Sequence, residues 1–100
     1  MSRYRLSRPA QQDLRDIVDY IAQDNAPAAR RLLAKLKAAF RELAGRPGMG
    51  HRREDLTDLP VRFLAVGSYL VVYADEQRPI EMVRVLHGAR DVEAILGSLQ

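Results

Sequence analysis

Apolar residues recur at helical spacing near the start of the chain. They fall at i, i+4, i+7, i+8 and i+11 and would form one stripe of a helix: Ala10, Leu14, Ile17, Val18 and Ile21. Ser7 is a suitable N-cap for this helix, and Pro9 is tolerated in its first turn, where the N–H has no helical partner. The opposite face is predicted to be acidic and to carry Asp13, Asp16 and Asp19.

A second apolar stripe follows after a short break. Its members are predicted to lie on one face of a second helix: Ala29, Leu32, Leu33, Leu36, Phe40 and Leu43. Asn25 is a suitable N-cap with Pro27 close behind it, and Gly45 and Pro47 are typical of a helix end. Because only a few residues join the two helices, we predict an antiparallel helical hairpin.

The period of the apolar pattern changes to two after residue 60. Two apolar segments, 62–66 and 69–73, flank Gly67-Ser68, and glycine in the first position of a two-residue loop favours a type II′ hairpin. The turn fixes the pairing and predicts one face made by Arg62, Leu64, Val66, Tyr69, Val71 and Tyr73. The other face, which is predicted to pack on the helices, carries Phe63, Ala65, Leu70 and Val72.

The remaining segments complete an α+β pattern. Residues 4–6 form a short extended stretch, 45–60 a long loop that is either functional or mobile, and 80–86 a last strand, followed by an amphipathic tail with Val92, Ile95 and Leu96. The predicted order is β-α-α-β-β-β with a short C-terminal tail helix. The antiparallel helical hairpin should pack on one face of a small, mainly antiparallel four-stranded sheet, and residues 1–100 should form a single domain.

The composition argues against several kinds of functional site. The chain has no cysteine, and its two histidines, His51 and His87, make a poor metal site, so we expect no cofactor. Fourteen of the 16 basic residues are arginine, a bias compatible with an acidic protein partner, a nucleic acid or a GC-rich genome. The chain has no apolar run near the ~18 residues of a membrane span and no signal-peptide core, so we expect a soluble cytoplasmic protein without membrane contact.

The order of these segments resembles the ParE/RelE superfamily of bacterial toxins. The resemblance covers nearly the whole chain and rests on residues 10–21, on Leu43-Ala44 before Pro47, on the strand pair 62–73 and on the closing segment 85–91, Val-Leu-His-Gly-Ala-Arg-Asp. It implies a toxin held inactive by a cognate antitoxin, a ParD-like protein that carries a DNA-binding domain. The resemblance also implies that operator DNA is bound only through the complex, and no segment of this chain is typical of a groove-reading helix.

Two targets are compatible with the resemblance. ParE-like members act on DNA gyrase, and the ending at residues 86–91 together with an incomplete set of nuclease residues favours this branch. RelE-like members cut messenger RNA on the ribosome without a metal, with groups that serve as base, acid and stabiliser of the developing charge. A third alternative is a binding module that is no longer toxic.

Individual residues are assigned to these functions by the resemblance. A nuclease would use Arg62, Arg84 and His87, although the unknown register of the last strand leaves the face of Arg84 open. The alternative interpretations are an edge arginine stacked over Tyr73 for Arg62, and a strand-end residue bonded to a backbone carbonyl for His87. Contacts with gyrase are assigned to Arg52, Arg53, His87 and Arg90.

An antitoxin surface is predicted from the hairpin register. If the helices cover the Phe63 face, an apolar face remains bare and would bind an extended segment of the antitoxin: Leu64, Val66, Tyr69, Val71 and Tyr73. The alternative is that the C-terminal tail folds back over this face. The basic outer surface of the second helix is interpreted as a solvated face with i,i+4 pairing, and it carries Arg30, Arg31, Lys35, Lys37 and Arg41.

Overall fold

Two α-helices and four β-strands make up the regular structure of residues 3–88, the part of the chain that this computed structural model describes. The elements are β1 (Tyr4–Leu6), α1 (Arg8–Ala22), α2 (Ala26–Gly45), a 3₁₀ turn (Pro47–Met49), β2 (Arg62–Val66), β3 (Tyr69–Ala74) and β4 (Ile80–His87). This order confirms the predicted β-α-α-β-β-β fold. The predicted tail helix lies outside the described residues.

Ser7 and Asn25 cap the two helices as predicted. The Ser7 hydroxyl accepts the Ala10 N–H at 3.1 Å, and the Asn25 side chain accepts the Ala28 N–H at 3.0 Å. Ser7 also donates from its hydroxyl to the Val83 carbonyl at 2.7 Å. The residue that follows β1 therefore starts α1 and fixes that start to β4.

The four strands form one mixed sheet in the order β1-β4-β3-β2, in which β1 and β4 are parallel and the other two pairs are antiparallel. The β2–β3 register is the predicted one, with Arg62 opposite Tyr73 and Val66 opposite Tyr69. Gly67 has a φ of 60°, the positive value that the first position of a type II′ turn requires. Ser68 in the second position has a negative φ, like every other non-glycine residue among 3–88. The two-residue turn therefore sets the pairing of the hairpin.

The helices cover the opposite sheet face from the one we predicted. Val71 and Tyr73 are fully buried and Val66 is 7% exposed, and all three pack in one core with residues of α1 and α2. Leu64 and Tyr69 lie at the margin of the same core. Three of the five residues predicted to form a bare antitoxin surface are therefore interior, and the prediction that the helices leave this face uncovered is wrong. A register decides which residues share a face, but two apolar faces give it no means of choosing which one meets the helices.

A folded loop covers part of the Phe63 face instead. His51 pairs with Phe63 through both backbone hydrogen bonds, at 2.8 and 2.9 Å, so the loop begins as a short extension of the sheet. Further along, it packs three apolar side chains near Phe63, Val72 and Leu86: Leu56, Leu59 and Val61. The long connection between α2 and β2 therefore closes a second, smaller core.

Candidate functional site

Arg62 is held by a carboxylate at the open end of the β2–β3 hairpin. Its Nε donates to Asp75 Oδ2 at 2.7 Å, and its Nη1 donates to the Gly50 carbonyl at 3.0 Å. Arg52 reaches the other carboxylate oxygen of Asp75 at 3.3 Å. Two arginines that we predicted to be functional thus share one acid.

Asp75 is kept in its ionised form by this arrangement. Burial raises the pKa of the carboxyl, since only 13% of its side chain is exposed. The hydrogen bond from Arg62 and the charges of Arg52 and Arg62 outweigh burial, so the pKa lies below its usual range. The negative charge of Asp75 therefore offsets part of the positive charge at this end of the sheet.

Arg53 makes a bidentate ion pair with Asp55 on the loop. Its Nε and Nη2 donate to the two carboxylate oxygens at 3.0 and 2.9 Å. The hydrogen bond from Arg53 is the main reason that the pKa of Asp55 is lowered. Because both side chains remain about half exposed, the pair contributes little to stability and leaves Arg53 accessible to a partner.

Tyr73 is a structural residue that fixes the loop against the sheet. Its hydroxyl accepts the Gly50 N–H at 2.8 Å and donates to the Pro47 carbonyl at 2.6 Å. Burial is the main cause of its raised pKa, so the phenol stays neutral and can donate. A Cβ at position 50 would lie 2.6 Å from the hydroxyl and 2.8 Å from the Phe63 carbonyl oxygen, so only glycine fits there.

Arg84 lies at a bulge in β4 and points to α1. The register shifts between Val72 and Tyr73 of β3, so that Val72 faces Arg84 whereas Tyr73 faces Met82. The Arg84 guanidinium donates to both oxygens of Asp13, at 2.7 and 2.8 Å. The same acid accepts the Val85 N–H at 3.0 Å.

We predicted that Asp13 would lie on an outer acidic face with Asp16 and Asp19, and this prediction is wrong. Asp13 is 14% exposed at the junction of α1 and β4. Its hydrogen bond is the main cause of the raised pKa of Arg84. Sequence reasoning missed this contact because the two residues are 71 positions apart and the bulge has no marker such as glycine.

His87 stands exposed at the end of β4, stacked on Tyr69. The two ring centroids are 4.9 Å apart with an interplanar angle of 34°. Asp16, Ile17 and Tyr20 of α1 complete an open cavity of about 210 Å³ around these rings. Among residues 3–88, the His87 side chain thus contacts a tyrosine ring and has no hydrogen bond to a backbone carbonyl, the partner of the alternative interpretation.

The three residues of the nuclease alternative do not converge. Arg62 is paired across the sheet with Tyr73 and His87 with Tyr69, so four residue steps of β3 separate them. At about 3.3 Å per residue, this separation is about 13 Å along the sheet. Arg62 and Arg84 are also each bound to a different carboxylate.

The predicted gyrase contacts are likewise divided between two places. Arg52 and Arg53 belong to the end of the sheet that holds Asp75, whereas His87 belongs to the end that holds Tyr69. Arg90 lies outside the described residues. Neither place contains a metal site, because no group of three or more His, Cys, Asp or Glu side chains that could hold a metal ion occurs within residues 3–88.

Within the same residues, neither helix is long and apolar enough to cross a membrane. The chain is thus a small α+β protein, and most of the arginines predicted to be functional form ion pairs with its own acids.

Comparison with known proteins identifies the family. The family described as "ParE toxin of type II toxin-antitoxin system, parDE" matches residues 4–92. The chain therefore belongs to the ParE toxin family of type II toxin–antitoxin systems, which agrees with the resemblance seen in its sequence. Membership of this family implies an antitoxin as a partner.

Two particular relatives support this assignment. The protein "Toxin ParE1" of Caulobacter vibrioides is 39% identical over 98 residues, which cover 97% of this chain and all of that protein. A solved structure entitled "Chromosomal ParDE TA system from P. aeruginosa" matches with a TM-score of 0.71 at 20% identity, covering 88% of this chain and 97% of that one. At that identity the structure supports the fold, and the sequence relative supports the family.

Proposed function

We propose that this chain inhibits DNA gyrase and that a cognate ParD-like antitoxin neutralises it. The observation that carries the choice of target is the separation of Arg62, Arg84 and His87, because cleavage of RNA needs its groups around one phosphodiester. A base and an acid must each lie within hydrogen-bond reach of the atoms they serve. An inhibitor that acts by binding has no such requirement.

The ion pairs of Arg62 and Arg84 also favour an inhibitor over a nuclease. A cation that stabilises the charge of a phosphorane must be free to face the substrate. Arg84 would first have to leave both oxygens of Asp13 and expose a partly buried acid, and Arg62 would have to leave Asp75. Each departure is unfavourable, because it leaves a partly buried carboxylate without its charge partner.

Contacts with gyrase are proposed at Arg52, Arg53, His87 and Arg90. Arg53 and His87 are both exposed, and the side chain of Arg53 is more exposed than that of Arg52, at 47% against 38%. Since these two lie at different ends of the sheet, the proposed interface is either extended or limited to one end. Substitutions at the two ends distinguish these arrangements.

The antitoxin is proposed to neutralise the toxin and to supply recognition of operator DNA. Phosphate contacts position a protein on DNA without reading its sequence, so a separate reading domain is needed for an operator. The partner would then be required both for silencing and for repression. Three of the five residues first assigned to antitoxin binding, Val66, Val71 and Tyr73, are excluded from this proposal because they are buried under the helices.

Inducible expression of the chain alone in a bacterium tests the target. Growth, plasmid supercoiling and protein synthesis are followed in parallel, with co-expression of the antitoxin as the control. We expect growth arrest and plasmid relaxation while translation continues, and recovery when antitoxin is present. Immediate loss of translation with intact plasmid topology would instead support the ribosome as target, and normal growth with soluble protein would support the non-toxic binding module.

A further inference from the structure

The outer surface of α2 carries five cations that have no partner within residues 3–88. All five are exposed, and none makes an ion pair or a side-chain hydrogen bond with any of those residues: Arg30, Arg31, Lys35, Lys37 and Arg41. The i,i+4 pairing that we expected for this face is absent there. The one acid of α2, Glu42, lies 3.8 Å from Arg46.

These five cations differ from the four arginines of the candidate site. Arg52, Arg53, Arg62 and Arg84 are each bound to at least one carboxylate. Both lysines of the chain, Lys35 and Lys37, lie on α2. The charge of these four arginines is therefore offset by acids, whereas that of the five α2 cations is not.

Three of the cations form a straight row. Arg30, Lys37 and Arg41 stand at i, i+7 and i+11 of α2, which places them within about 40° of one another around the helix axis. At 1.5 Å per residue the row is about 16 Å long, or about five base-pair steps of 3.4 Å. We call these three residues the basic row; Arg31 and Lys35 lie one turn apart on another side of the helix, about 100° and 140° around its axis from Arg30.

We propose that the basic row of α2 binds the phosphate backbone of double-stranded DNA without sequence preference. A row of flexible cations suits a backbone that repeats its charges at fixed spacing. The side chains between the cations are small, with the exposed Ala34 and the half-buried Ala38 as examples. A protein partner normally needs aromatic or large apolar anchors at the centre of its interface, and this surface offers none among the described residues.

This contact goes beyond gyrase inhibition and does not depend on it. Binding to DNA would concentrate the toxin on the substrate of its proposed target, yet the interaction can be measured with no gyrase present. It also differs from operator recognition, since phosphate contacts carry no sequence information.

The test is the binding of the purified full-length chain, free of antitoxin, to a fluorescent 20-base-pair duplex of arbitrary sequence at several salt concentrations. With three to five phosphates engaged, we expect log K to fall against log salt with a slope of about −2.7 to −4.5. Replacing the basic row with glutamine, as Arg30→Gln, Lys37→Gln and Arg41→Gln, should reduce the steepness of that slope by about 2.7 and weaken binding at low salt more than tenfold. Glutamine is a good helix former, so the fold should be kept.

The matched control is the triple variant Arg3→Gln, Arg5→Gln and Arg78→Gln. Both triple variants lower the formal net charge from +3 to zero, but the control changes only exposed arginines outside the helices. It should retain most of the binding. Equal weakening of the two variants, no weakening of the row variant, or no binding by the original chain would overturn the proposal.

A second measurement needs no variant. Lys35 and Lys37 are the only lysines of the chain, so an amine-acetylating reagent followed by mass spectrometry reports on α2 directly. Bound duplex should slow acetylation of Lys37 severalfold, and of Lys35 less. Unchanged acetylation at saturating DNA would contradict the proposal, as would protection by the antitoxin alone with none by DNA.

Discussion

Asp13 of α1 binds Arg84 of β4 through both carboxylate oxygens, at 2.7 and 2.8 Å, across 71 positions of sequence. One of these oxygens also accepts the Val85 N–H at 3.0 Å. Pairing between β1 and β4 ends at Leu6 and Met82, so the carboxylate takes up a backbone donor beyond the end of the short strand. A single side chain thus joins the first helix to the bulge that positions the end of β4.

Asp13→Ala should destabilise the fold by about 2–4 kcal/mol, because it leaves a partly buried guanidinium and a backbone N–H without their acceptor. The midpoint of urea denaturation measures the loss. Asp16→Ala removes the neighbouring exposed acid of the same helix and should change stability by less than about 0.5 kcal/mol. Equal effects of the two variants would show that the Asp13–Arg84 contact does not stabilise the protein.

Gly50→Ala should be destabilising by about 1–3 kcal/mol, since the new methyl group would overlap the Tyr73 hydroxyl and a backbone oxygen. Gly48→Ala is the matched control, because a Cβ there meets nothing within 4 Å. Thermal unfolding of both variants separates a steric effect from a general preference for glycine in this loop. A larger loss for the Gly48 variant would contradict the described loop geometry.

Tyr73→Phe should cost about 1–3 kcal/mol by leaving the Gly50 N–H and the Pro47 carbonyl without their shared partner. The matched variant is Tyr20→Phe, because Tyr20 is 74% exposed. It should be nearly neutral. If Tyr73→Phe were neutral as well, the hydroxyl would have no part in holding the loop.

Asp75 should make stability depend on pH in the acid range. Its folded pKa is lowered, so the unfolded chain, in which the pKa of this carboxyl is about 3.9, binds the proton more readily. The stabilisation is complete above about pH 5 and is lost as pH falls through the folded pKa. Asp75→Asn should therefore lower stability at pH 7 and flatten its decline below pH 5, as measured by urea denaturation at a series of pH values. If stability declined equally steeply in the variant, other acids would be responsible for the pH dependence.

His87→Ala should weaken gyrase inhibition about fivefold, the loss of one exposed contact worth about 1 kcal/mol. His51→Ala is the control, because His51 joins the sheet through its backbone and keeps those hydrogen bonds as alanine. Half-inhibitory concentrations in a supercoiling assay give the comparison. A loss in both variants, or in His51→Ala alone, would argue against a contact at His87.

Local patterns predicted the elements and the hairpin correctly. Ser7 and Asn25 cap the helices, and Gly67-Ser68 sets the register of β2 and β3, because each acts on its nearest neighbours in sequence. The choice between two apolar sheet faces was predicted wrongly. It depends on the whole chain: the loop with Leu56, Leu59 and Val61 covers the Phe63 face, which leaves the other to the helices.

The candidate site was less predictable than the fold for a related reason. Residue types pointed to Arg62 and Arg84, but whether an arginine is free depends on acids that are distant in sequence, Asp75 and Asp13. Neither contact follows a helical or strand period. The same comparison of paired and unpaired cations distinguishes α2, whose charges the sequence alone suggested were internally paired.

The measurement that tests the central proposal most directly is supercoiling of relaxed plasmid by purified gyrase in the presence of increasing amounts of this chain. The account predicts that supercoiling is lost, that linear plasmid appears when trapped complexes are denatured, and that preincubation with the antitoxin prevents both. Full supercoiling at saturating amounts of folded chain would contradict it.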